Sequence, residues 1–201
     1  MSVDTDGIRI TVICGSARPG NYTAKAAALV LDELHKYPDV RVDSIDPAAI
    51  DLPLPGVDPV SPAVREMREK VNAATGVLFA IPEYHGSYSS VTKLIIDNLG
   101  FPSGIRGKPV ALLGVASGAI GAIKALEHLR SVCSHMGGLV LPGPVSVARV
   151  REVFDGAGNC LDPKVEERIR ALPRHLIDYI RERVCPLEFL ERVVREGETA
   201  G

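Results

Sequence analysis

Three short apolar runs, each ending in a polar, glycine-containing turn, constrain this chain more than any other feature. They are Ile8-Arg9-Ile10-Thr11-Val12-Ile13-Cys14, Gly76-Val77-Leu78-Phe79-Ala80-Ile81 and Val110-Ala111-Leu112-Leu113-Gly114-Val115. Runs this short, rich in β-branched residues and apolar at nearly every position, predict strands buried on both faces of a parallel sheet. The second run leads through Pro82-Glu83-Tyr84-His85-Gly86-Ser87 into an amphipathic stretch with Val91, Leu94, Ile95 and Leu99 on one side. A strand-to-helix turn of that kind is where parallel α/β sheets hold ligands.

The remaining elements alternate in the same way. Ala24, Ala27, Ala28, Leu31 and Leu34 recur at helical spacing after Asn21, a candidate N-cap, and stop near Tyr37-Pro38. Residues 40–45 alternate as an edge strand does, four prolines make 46–60 a loop, and Ser61-Pro62 opens a helix. A fourth helix places Ala122, Leu126, Leu129, Cys133 and Met136 on one face and ends at Gly137-Gly138. A fifth strand, 139–147, is interrupted by Pro142 and Pro144, and a last long helix opens at Asp162-Pro163, with a kink expected at Pro173. A short extra helix is expected at about 186–196, on Leu187, Leu190 and Val194. Five strands alternating with five helices predict one α/β domain over residues 1–201, a three-layer sandwich with sheet order 2-1-3-4-5. Its ligand crevice falls at the carboxyl ends of strands 1 and 3.

Composition narrows the function classes. With 46% hydrophobic residues, 24% charged residues and a net charge of −2, the chain has no basic surplus for nucleic acid. No apolar run approaches the roughly 18 residues of a membrane span, and the acidic N-terminus does not read as an export signal, so a cytoplasmic location is expected. Cys14, Cys133, Cys160 and Cys185 form no Cys-x-x-Cys pair, and the histidines show no metal-ligand spacing, so no metal site is expected.

The turn after the first strand gathers Ser16, Arg18 and Thr23 at a helix N-terminus, where free amides and the helix dipole favour an anion. The same residues would serve equally as a cap and solvated helix start. Known phosphate and nucleophile motifs do not match: there is no Gly-x-Gly-x-x-Gly after strand 1, no P-loop, and no Gly-x-Ser-x-Gly around Ser117.

Taken together, Gly15-Ser16-x-Arg18, the segment Pro82 to Ser87 with Lys93 and Asp97, and the small-residue loop Ala116-Ser117-Gly118 resemble the NAD(P)H-dependent FMN reductase family over residues 8–182. That flavodoxin-like family includes quinone, chromate and azo-dye reductases. The resemblance implies an FMN phosphate on Ser16, Arg18, Tyr22 and Thr23, with Asn21 beside it. It places the isoalloxazine ring along Pro82, Glu83, Tyr84, His85, Gly86 and Ser87, with Ala116, Ser117 and Gly118 at the other edge. It also implies NADPH or NADH as donor, a small-molecule acceptor, a ping-pong cycle, a homodimer or homotetramer, and no catalytic acid or base, since the cofactor carries the chemistry. This chain departs from the family at His85, commonly Asn, where an Asn-like hydrogen-bonding role beside the flavin is expected, and at Ser89, Ser90, Thr92 and Leu94, changes expected to affect the start of the helix more than the ring contacts. Lys93 and Asp97 read as an i,i+4 ion pair. The alternatives are a flavodoxin-type electron carrier, against which the small net charge argues, and a flavin-free binding domain.

Overall fold

The computed structural model describes residues 7–187 and 190–191. In chain order the elements are β1 (Ile8–Cys14), α1 (Tyr22–Leu34), β2 (Val40–Ile45), α2 (Pro62–Ala73), β3 (Gly76–Tyr84), β4 (Ser87–Tyr88) and α3 (Ser90–Asn98). There follow β5 (Pro109–Val115), α4 (Ile123–His135), β6 (Leu139–Val140), β7 (Val145–Val147), α5 (Val150–Val153) and α6 (Pro163–Tyr179). The sheet order is β2-β1-β3-β5-β6, with β7 also paired to β5 and β4 paired to β3. The expected order 2-1-3-4-5 is therefore observed once the hairpin strand β4 is set aside and β6 and β7 count as one interrupted strand. Pro142 and Pro144 lie in that interruption, where the missing amides cannot serve the ladder.

The period of two along the strands builds two cores. Ile10, Val12, Leu78, Ala80, Ala111 and Leu113 face the layer formed by α1 and α6, whereas Ile13, Val77, Phe79, Ile81, Val110 and Leu112 face α2, α3 and α4. Both faces are covered, which is why β1, β3 and β5 carry almost no polar residue. β2, half-exposed in alternation, is the edge.

Two short elements, β4 and α5, add to the expected set. The last helix passes through Pro173 as α-helix, and its departure from α geometry comes later, as a π-helical turn at Ile180–Val184. Of the extra helix expected at 186–196, residues 188–189 and 192–196 lie outside the described residues.

An ion-pair cluster joins α1 to α6. The Glu33 side chain, 6% exposed, accepts from Lys36 at 2.7 Å and Arg174 at 3.2 Å, while Arg170 bridges Asp32 at 2.5 Å and Glu166 at 2.8 Å. Burial pushes the Glu33 carboxyl up, but Lys36 and Arg174 outweigh it and hold the group below its ordinary 4.5; the Arg170 hydrogen bond holds Asp32 below 3.8. Depressed carboxylates contribute stability that is complete above their ordinary values and lost as pH falls through the lower folded-state values. Glu33→Gln is expected to cost about 2 kcal/mol at neutral pH. Urea unfolding should also show a shallower loss of stability below pH 4.5 in this variant than in the wild type.

Candidate active site

The carboxyl ends of β1, β3 and β5 open into one cleft lined by Arg18 to Thr23, Pro82 to Tyr84, Val115 to Ser117, and Val150 with Arg151, enclosing about 160 Å³. Gly118 to Gly121 continue its wall beside Arg18, Glu83 and Tyr84. Each side chain is placed by a turn whose local chemistry can be traced.

The first turn is fixed at both ends. Gly15 donates its N–H to the Ala80 carbonyl at 2.7 Å, and its own carbonyl accepts from the Ser89 hydroxyl at 2.5 Å. Thr92 Oγ1 sits 3.4 Å from the same carbonyl. A Cβ at position 15 would stand 2.2 Å from Thr92 Oγ1, so the close approach of β1 to α3 requires glycine. Asn21 is the N-cap of α1: its Oδ1 accepts from the Ala24 amide at 2.7 Å and its Nδ2 donates to the Arg18 carbonyl at 2.7 Å. With Ala24 capped, the Tyr22 and Thr23 amides at the positive end of the helix make no hydrogen bond among the described residues. Ser16 is 2% exposed, and its hydroxyl has no hydrogen-bond partner among the described residues.

The second turn is a two-residue hairpin. Tyr84 pairs with Ser87, and the residues between them, His85 and Gly86, both have positive φ, 52° and 77°. That pair of values suits a tight hairpin matched to strand twist, for which Asn-Gly is the favoured sequence. His, like Asn, is enriched among the few side chains tolerated there. The backbone therefore accounts for the residue type at 85, and the exposed ring makes no hydrogen bond among the described residues. Glu83, half-buried, accepts from the Ala125 amide at 3.3 Å, near the start of α4, a helix without a side-chain cap from its own N-cap residue.

The third turn is held by the segment after β7. The Arg149 amide donates to the Gly118 carbonyl and the Val150 amide to the Ala116 carbonyl, both at 3.0 Å.

Of the residues expected from sequence, Arg18, Asn21, Tyr22, Thr23, Pro82, Glu83, Tyr84, Ala116 and Ser117 line the cleft, Gly118 flanks it, and Ser16, buried in the turn after β1, is not among the lining residues. His85, Gly86 and Ser87 lie beyond its lining; the Ser87 hydroxyl instead meets His128 Nδ1 at 3.0 Å. Lys93 and Asp97 form the expected ion pair at 2.7 Å on α3. Ser89 and Thr92 do more than start that helix, because Ser89 caps the Thr92 amide at 3.0 Å while joining the first turn. Val150 and Arg151 were not among the expected site residues: a four-residue helix is too short to leave a periodic signal.

Residues 8–152 match the sequence profile of the NADPH-dependent FMN reductase family. The chain belongs to that family. It is 33% identical over 171 residues to an NAD(P)H-dependent FMN reductase of Pseudomonas aeruginosa, a match covering 83% of this chain and 91% of that one. It is 28% identical over 189 residues to the FMN-dependent NADPH-azoreductase of Staphylococcus aureus, covering 90% and 98%. Among solved structures, the flavoenzyme FerB, an NAD(P)H:(acceptor) oxidoreductase from Paracoccus denitrificans, superposes with a TM-score of 0.71 at 21% identity, covering 87% of this chain and 98% of that one. An archaeal flavodoxin superposes with a TM-score of 0.62 at 14% identity, covering 87% and 99%, which marks the fold as flavodoxin-like. Family membership makes the chain an oxidoreductase of the FMN and NAD(P)H class.

The hairpin gives a direct test of its backbone origin. His85→Asn is expected to leave thermal stability unchanged or slightly raised, whereas His85→Val, β-branched at a positive φ, should cost about 1–2 kcal/mol by urea unfolding.

Proposed function

We propose that the chain is an FMN-dependent NAD(P)H oxidoreductase that holds FMN in this cleft and passes reducing equivalents to a small acceptor such as a free flavin, quinone, chromate or azo compound in a ping-pong cycle. The observation that carries the reading is the buried Ser16 hydroxyl without a partner. An unsatisfied buried hydroxyl costs about 1–3 kcal/mol, and a phosphate oxygen would satisfy it. Two free amides at the α1 N-terminus and the Arg18 guanidinium, which forms no ion pair among the described residues, supply the matching charge. These residues fit the monophosphate of FMN.

Bound FMN would supply the hydride chemistry between nicotinamide and acceptor. The protein's work is then positional. Pro82, Glu83 and Tyr84 form a wall for the flat ring, with Tyr84 37% exposed and free to stack. Ala116, Ser117 and Gly118 bound the opposite edge, held by the two amides from Arg149 and Val150. The one carboxylate in the lining, Glu83, accepts from the Ala125 amide at the start of α4, where the helix dipole favours its charge.

The reading takes residues 1–201 as one FMN-binding domain in the cytoplasm. No helix among the described residues is long and apolar enough to cross a membrane. A homodimer or homotetramer is part of the proposal, supported by the full exposure of Phe101 and the strong exposure of Leu54, Val57 and Val60.

Ser16→Ala separates a ligand-binding hydroxyl from a structural one. The flavin-free variant should melt no lower than wild type, because the orphan is removed, while FMN binding measured by fluorescence quenching weakens about tenfold. A lower melting temperature with unchanged FMN affinity would contradict this role.

A further inference from the structure

The cleft contains a second cation that no phosphate-binding turn accounts for. Arg151, on α5, lines the same space as Arg18, Tyr22 and Thr23, and like Arg18 it forms no ion pair among the described residues. Its position is over-determined. Arg149, two residues earlier, holds φ at 46°, a conformation costly for a residue with a side chain, and is kept there by the Gly118 and Ala116 carbonyls that accept from residues 149 and 150. On the far side of α5, Lys25 in the first turn of α1 donates to the Asp155 carbonyl at 2.6 Å and lies 4.8 Å from the Tyr22 ring centroid. These contacts tie α5 to both the phosphate turn and the third turn.

Charge balance points the same way. Arg18 and Arg151 face a lining whose one carboxylate, Glu83, is taken up by the Ala125 amide. The cleft thus carries a net positive charge, to which the α1 N-terminus adds, suited to an anion such as a phosphate monoester near neutral pH.

Resting on the FMN reading above, we propose that Arg151 is a cofactor-binding residue that, with Arg18, holds the phosphate monoester of FMN, so that the site selects the phosphorylated flavin over riboflavin. A nicotinamide 2′-phosphate has the same chemistry, and the test separates the two sources.

FMN and riboflavin are titrated into the purified flavin-free protein by fluorescence quenching, for wild type, Arg151→Gln and Arg151→Lys, with circular dichroism melting to confirm folding of each. Arg151→Gln is expected to weaken FMN by about 10–100-fold and leave riboflavin unchanged, with Arg151→Lys recovering part of the loss. Unchanged FMN affinity in Arg151→Gln would overturn the assignment, whether or not KM for NADPH rises relative to NADH. An equal loss for FMN and riboflavin would also overturn it, showing a packing role. Wild-type protein that binds neither flavin would remove the FMN reading itself, a result distinct from failure of Arg151 alone.

Discussion

The short hydrogen bond from the Ser89 hydroxyl to the Gly15 carbonyl ties together the two strand ends on which the site depends. β1 and β3 are neighbours in the sheet, so their C-terminal turns leave it side by side. The Gly15 amide already holds the first turn to the Ala80 carbonyl of β3, and the Ser89 bond adds the start of α3. Ser89 links the two turns while capping α3, so one hydroxyl sets both the start of that helix and the seat of the phosphate turn. The requirement for glycine at 15 follows, because Thr92 occupies the space a side chain would need.

Around that tie the cleft is charged asymmetrically. Its cationic groups, Arg18, Arg151 and the amides at the α1 N-terminus, have no protein partner among the described residues, whereas its acidic group accepts from a helix end. On the α1–α6 flank the charges are paired: Glu33, Asp32, Glu166 and Glu167 meet Lys36, Arg170 and Arg174. The contrast between a paired flank and an unpaired cleft is what an anion-binding site looks like before its ligand is added.

Much of this was legible in the sequence because burial on both faces leaves unbroken apolar strands, and those strands punctuate the chain at β1, β3 and β5. The first two polar turns were readable for the same reason, each standing directly after such a run. Asn21 was recognisable as a cap, and the prolines at 142 and 144 as a break in the last strand. What escaped lies in elements too short to leave a pattern or in contacts distant in sequence. The His85-Gly86 hairpin requires the strand β4 that pairs back on β3, two residues too few to alternate visibly. Arg151 becomes a cleft residue only because amides 149 and 150 reach carbonyls more than thirty positions earlier. The partner of Glu83 lies forty-two residues away, beyond any local signal.

The central claim is that this cleft seats a flavin that nicotinamide reduces. Anaerobic mixing of the FMN-loaded protein with NADPH, then with NADH in a separate sample, tests it through the visible flavin absorption band. Rapid bleaching, reversed when a quinone or free FMN is added, is the predicted result. A bound flavin that keeps its colour with both nucleotides and yet accepts electrons from dithionite would contradict the claim and leave an electron carrier.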